Sequence, residues 1–197
     1  MKQANRGFTL IEVIVIVAIL GLIVGIAIPN LFELSSGNRL YLAAHELRTA
    51  LHRAKTYAIL RNANVGVKFF VEGENASYAL FIDGDGDGVL TRDIESGVDP
   101  QVTPTRRFLN LGADVRFGFP PGKAPRDPGD PRRRLSRLWD PIRFNRSDLA
   151  SFGPLGGSTP GSLYLTDGKR LRAVRVFGRT GKIKVIRYRQ GTETWEQ

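Results

Sequence analysis

Three aspartates stand at alternate positions in 83-DGDGDGVLTRDIE-95: Asp83, Asp85 and Asp87. Three carboxylates brought to one point repel, and a hard divalent cation would relieve them. A different acid stands where acids are costly. Glu12 lies within an apolar run from Phe8 to Ile28 in which nothing else ionises. A carboxylate at the centre of a membrane span costs about 2.5–3.5 kcal/mol. The third group is cationic. Between Asp167 and Glu193 come Lys169, Arg170, Arg172, Arg175, Arg179, Lys182, Lys184, Arg187 and Arg189, with no acid among them. Such a stripe could bridge several phosphates, with Tyr188 as a stacking partner. It could equally be an edge hairpin whose charges oppose aggregation.

Other chemistry is poorly supplied. The 197 residues include no cysteine, which excludes disulfides, thiolate nucleophiles and Cys-ligated metals. His45 and His52 are seven apart, about 10 Å along a helix, too far to share a metal. No nucleotide loop or nucleophile elbow occurs, and no spacing of Ser and Asp suggests a triad, so the chain is not expected to be an enzyme. A net charge of +10 suits a polyanionic partner or a solvated basic surface.

The elements that must position these groups follow from the pattern. The 21 residues from Phe8 to Ile28 are apolar or small apart from Thr9 and Glu12. At about 1.5 Å per residue they span about 31 Å, the depth of a bilayer's hydrocarbon core. Lys2 and Arg6 precede them without an acid, which puts the N-terminus on the cytoplasmic side. Pro29 is expected to kink or break the helix. Leu40, Ala43, Ala44, Leu47, Leu51, Ala54 and Ala58 then form one apolar helical stripe. The run 65-VGVKFFVEGENASYALFID-83 reads as two strands joined at Gly-Glu-Asn. In 119–140, PPGKAPRDPGDPRRR reads as an exposed loop or partly disordered insertion.

Gly7-Phe8-Thr9-Leu10-Ile11-Glu12 after a short basic leader resembles the class III signal of type IV pilins and type II secretion pseudopilins. The segments RTALHRAKTYAILRNANVGVKF and 152-FGPLGGSTPGSLYLTDGKRLRAVRVFGRTGKIKV-185 resemble the GspH/FimT branch of that superfamily. The resemblance implies an α+β pilin-like fold: a long N-terminal helix, half transmembrane and half amphipathic, packed on an antiparallel β-sheet head. It implies a cleaved leader (1–7), a membrane helix (8–29), a stalk helix (30–63) and a head (64–197). Prepilin peptidase would cut between Gly7 and Phe8 and methylate the new amine. Glu12 would pair with that amine on a neighbouring subunit during filament assembly. Implied partners are the peptidase, other minor and major pilins or pseudopilins, and an inner-membrane assembly platform. The implied place is the bacterial inner membrane, single-pass, with the head periplasmic. DNA enters as a partner because some pilus members are thought to bind it through a basic C-terminal region, here Lys182, Lys184, Arg187 and Arg189.

No cofactor is required by this reading, although residues 83–95 resemble the D-x-D-x-D-G calcium loop of EF-hands. Asp83, Asp85 and Asp87 match its first carboxylates, and Val89 could offer a carbonyl. Its last position is Ile94, flanked by Asp93 and Glu95, which could ligate if no helix follows the loop. Without a metal, the same Asp-Gly pairs make a turn-rich hairpin tip.

Overall fold

In the computed structural model the described residues are 10–73, 75–112, 114–145 and 147–197, with the backbone alone for 25–37. They fall in two compact units, one ending at Ser36 and the other running from Gly37 to Gln197. Helix α1, Leu10–Arg61, contributes to both. In the first unit every described side chain from Leu10 to Val24 is exposed, and Glu12 sits in the first turn. Helical turns continue through Pro29. The proline removes one backbone donor but does not end the helix. Among the described residues no helix is long and apolar enough to cross a membrane.

The second unit is built on the amphipathic part of α1. All seven stripe residues are at most 1% exposed, and Ala50 joins them. They pack on two antiparallel sheets. The first takes the order β3-β2-β1-β6, from β1 (Val65–Glu72), β2 (Asn75–Ile82), β3 (Arg106–Arg107) and β6 (Leu149–Phe152). The hairpin turns at Gly73, whose φ of +59° suits glycine. The second sheet takes the order β10-β9-β8-β7-β4, from β4 (Arg116–Phe117), β7 (Gly161–Thr166), β8 (Leu171–Phe177), β9 (Lys182–Arg189) and β10 (Thr194–Glu196). Strand β5 (Ile142–Phe144) pairs with β7 as well.

Both sheets are covered on both faces. Toward α1 they present Val65, Val67, Phe69, Phe144, Leu163, Leu165 and Val174, which share one core with the stripe. Behind the first sheet, Ala79, Phe81 and Leu149 meet Val89 and Ile94 from the segment after β2. Gly66 permits that approach, since a Cβ there would lie 2.8 Å from Val89 Cγ1. Behind the second sheet, Tyr164, Leu171, Ala173 and Tyr188 meet Leu135, Phe119 and Trp195.

Leu135 shows that the Pro- and Arg-rich segment is a docked structure, not a loose insertion. Its backbone folds on itself through Asp127 N–H to Arg133 O (2.9 Å) and Leu135 N–H to Pro125 O (2.8 Å). Trp195 Nε1–H donates to Arg126 O at 2.7 Å. The segment's cations converge on Glu193: Lys123 at 2.7 Å, Arg134 at 2.6 Å and Arg126 at 3.4 Å. Hydrogen bonds from Lys123 and Arg134 hold the Glu193 carboxyl down at about 2, against an ordinary 4.5. A depressed carboxylate stabilises the fold above its unfolded value and loses that contribution as pH falls through the folded one. Acid titration of thermal stability should therefore show a loss between about pH 4.5 and pH 2 that Glu193→Gln flattens. An unchanged slope in the variant would place the acid sensitivity elsewhere.

Candidate functional site

In the loop between β2 and α2 (Thr91–Ser96), Asp83, Asp85 and Asp87 each bring a carboxylate oxygen within 4.8 Å of the others. Asp83 organises the turn. Its Oδ1 accepts from Asp85 N–H (3.3 Å) and Gly86 N–H (2.7 Å), and its Oδ2 from Gly88 N–H (3.0 Å) and Asn64 Nδ2 (2.8 Å). Burial works against its charge, but the donors from Asn64, Gly86, Gly88 and Asp85 prevail and lower its pKa. Asp87 moves the other way: burial and then the charges of Asp85 and Asp93 raise it, while Arg92, 2.8 Å away, opposes them.

The two flanking acids read as ligands, Asp93 and Glu95, do not join the three aspartates. A helix does follow the loop, so the condition for a flanking acid to ligate fails. Ile94 turns inward to the core behind the first sheet. Asp93 is buried beside Arg92 Nε at 3.3 Å, Glu95 is exposed, and neither joins the group of three. The Val89 side chain is buried in that same core. Asp99, which sequence reasoning missed, closes the loop. It is 1% exposed and accepts from Gly84 N–H at 3.0 Å and Leu90 N–H at 2.9 Å. The three aspartates could hold a hard cation, which would have to compete with Arg92 for Asp87.

The basic hairpin is arranged differently from the stripe the sequence suggests. The β8–β9 register is regular, so successive residues of β9 alternate faces. Lys182 and Lys184 lie on the outer face with Ile186 and Tyr188. Arg187 and Arg189 lie on the α1 face with Ile183 and Val185. The four cations therefore divide two and two. Arg187 and Arg189 also share Glu196 of β10, at 3.4 and 2.5 Å. Arg172, directly opposite Arg187, is the better-placed cation. It lies 5.2 Å over the Tyr41 ring, and among the described residues no acid pairs with it. Burial, then the charges of Arg187 and Arg170, lower its pKa. His45, 4.2 Å from the Tyr41 ring, is lowered by burial, Arg48 and Arg172. His52 is exposed.

Glu12 is exposed in the first turn of α1, where the helix dipole favours an anion. Gly7 and Phe8 lie outside the described residues.

A long N-terminal helix, amphipathic where it lies on two antiparallel sheets, defines a pilin-like α+β protein. Comparison with known families agrees. Residues 2–28 match the prokaryotic N-terminal methylation motif, and residues 43–180 match the type II transport protein GspH. The chain belongs to the GspH family. It is similar to the pilin-like protein PilA1 of Thermus thermophilus, 46% identical over 83 residues, which are 41% of this chain and 50% of that protein. The chain thus spans about half the length of the curated relative it matches. No solved structure matches it. The family and the motif support a pilin-like or pseudopilin-like protein.

Proposed function

We propose that the chain is a minor subunit of a type II secretion pseudopilus. In this reading residues 1–7 are removed, Phe8 becomes the methylated N-terminus, and residues 8–29 anchor the protein in the inner membrane with the head periplasmic. What supports it is the GspH match together with the methylation motif leading directly into a helix whose described side chains, Leu10 to Val24, are almost all apolar and all exposed. A helix apolar on every side needs an apolar surrounding, either lipid or the packed helices of a filament. The chemistry implied is assembly, with Glu12 setting register.

Two measurements test it. Intact mass and N-terminal sequence of the membrane-extracted protein, coexpressed with its own peptidase, should show methylated Phe8. Met1 at the N-terminus, in cells that process other prepilins, would sink the reading. Deleting the gene should then stop release of secreted proteins while surface pili persist. Loss of pili with normal secretion would assign the subunit to a type IV pilus.

The cross-strand pair Arg172 and Arg187 favours a second reading, a DNA-binding minor pilin. Like charges directly opposite are destabilising; Glu196 offsets Arg187, but among the described residues no acid pairs with Arg172, so a phosphate would relieve the pair. Changing Arg187 and Arg189 to Ala should then weaken duplex binding at least about tenfold and lessen its salt dependence. Unchanged affinity removes this reading. For the aspartate loop we propose a structural calcium ion, since Asp83, Asp85 and Asp87 gather three carboxylates at one turn. Calcium should raise the thermal midpoint of the wild type and not of Asp85→Asn, and an equal rise in both would refute it.

A further inference from the structure

Beside the tip of the β1–β2 hairpin lies a pocket of about 630 Å³, within the size range of small-molecule sites. Val71, Phe117 and Ile142 give it an apolar wall. Trp139 stands at its rim, 79% exposed and without a ring contact or hydrogen bond among the described residues. An exposed tryptophan alone means little. This one is held in place. Arg143 donates to the carbonyl oxygens of Ser136 (2.5 Å), Arg137 (2.7 Å) and Asp140 (2.8 Å), clamping the turn that carries Trp139. The Arg143 guanidinium is itself seated 5.4 Å over the rings of Phe119 and Tyr164. Only four described non-glycine residues have positive φ, and two of them, Arg137 and Asn145, line this pocket. Such backbone cost persists where the surroundings over-determine it, which is common at binding sites.

The polar lining narrows the ligand. Asp140 and Asp148 supply acceptors, Arg137 supplies donors, and Asn145 supplies both. None of these side chains has an ion pair or side-chain hydrogen bond within the described chain. Burial raises the Asp148 carboxyl, Lys68 opposes, and Asp140 adds to the rise, so the two acids sense each other. A cation would meet Arg137 and an anion would meet two carboxylates. A neutral polyol with one apolar face uses every group present: hydroxyls to the planar carboxylate, amide and guanidinium, and ring C–H groups to the indole. We infer that this pocket binds a neutral pyranose ring of a glycan chain, with Trp139 as the stacking platform and Arg143 as a positioning residue.

The test uses the full chain in a zwitterionic detergent, since sugar-headed detergents would compete. With isotope-labelled tryptophan, only the indoles of Trp139 and Trp195 report. A panel of neutral oligosaccharides in gluco, manno, galacto and N-acetylglucosamine configurations is titrated. At least one should move the Trp139 signal saturably while Trp195 stays fixed. Calorimetry of that sugar should show Trp139→Ala and Asp148→Asn each weakening binding at least about tenfold, the size expected for a stacking anchor. An unmoved Trp195 signal confirms that the variants remain folded. The inference is overturned if no panel member moves Trp139 at about 10 mM, a concentration that detects even millimolar binding. It is overturned equally if arginine methyl ester or citrate moves Trp139 as the sugars do, or if Trp139→Ala binds normally.

Discussion

Replacing Phe144 by alanine is expected to destabilise the head by about 3–5 kcal/mol, the range for a fully buried aromatic ring. Phe144 is 0% exposed and lies near parallel to Phe69 of the first sheet, 6.3 Å between centroids. Its own strand pairs with β7 of the second, so the ring is where the two sheets meet. Opposite Phe144 in the ladder is Gly161. A Cβ at Gly161 would fall 2.2 Å from Phe144 Cδ1 and 2.4 Å from Arg143 O. The ring therefore occupies the space a side chain on β7 would need, and no neighbouring side chain from that position can refill the hole. Chemical denaturation of Phe144→Ala, set against Phe177→Ala at a 37% exposed site, measures the difference. Equal losses would refute the account. A double-mutant cycle sharpens it. Gly161→Ala should cost less in the Phe144→Ala background, where the ring clash is gone, yet still cost something because the Arg143 carbonyl remains.

Periodicity made the inner surface of this head legible. A three- and four-residue spacing of Leu and Ala in α1 meant one buried stripe, and all seven residues are buried. Ala50, three residues after Leu47 and four before Ala54, keeps the same spacing and is buried with them. The outer surfaces were much less legible, because what covers them arrives from loops. Ile186 and Tyr188 are apolar on the face of β9 that also carries Lys182 and Lys184. A rule of charges on one side and core on the other could not assign them. Leu135, a single leucine in an Arg-rich segment, covers that face and explains both. The same cause placed Arg187 and Arg189 opposite the lysines. Ile94, at the position where an EF-hand loop has its last acid, packs inward, so the loop that suggested calcium also covers the first sheet. Asp99 and Trp139 each precede or nearly precede a proline in turn-rich sequence, a signal for tight backbone that names no role. Asp99 owes its role to two backbone donors from Gly84 and Leu90, and Trp139 to the arginine that clamps its turn.

Glu12→Ala is expected to leave membrane insertion and leader cleavage intact while reducing incorporation into filaments by more than about a hundredfold. Insertion should not suffer, because the substitution removes an ionised group from an apolar run whose charge costs about 2.5–3.5 kcal/mol at mid-membrane. The proposed cleavage, between Gly7 and Phe8, lies several residues away. Under the proposed function, assembly is where the carboxylate would act: the amine created at Phe8 would stay cationic after methylation, and pairing it with Glu12 of the next subunit would offset the burial of both. Removing one partner of a buried pair leaves the other charge uncompensated, at a cost of about 3–5 kcal/mol, which corresponds to the stated factor. Glu12→Gln separates charge from shape. It keeps the length and hydrogen-bonding capacity, so under the pairing account it should fail nearly as badly as alanine. If Glu12→Gln enters filaments normally while Glu12→Ala does not, the side chain acts as a hydrogen-bonding group and charge is not required. Normal entry by both would reduce Glu12 to an anion favoured by the helix dipole at its N-terminal turn, worth about 0.3–1 kcal/mol and too little to set the register of a filament. Quantitative immunoblotting of sheared filaments, with membrane fractions and N-terminal sequencing from the same cells, distinguishes the three outcomes.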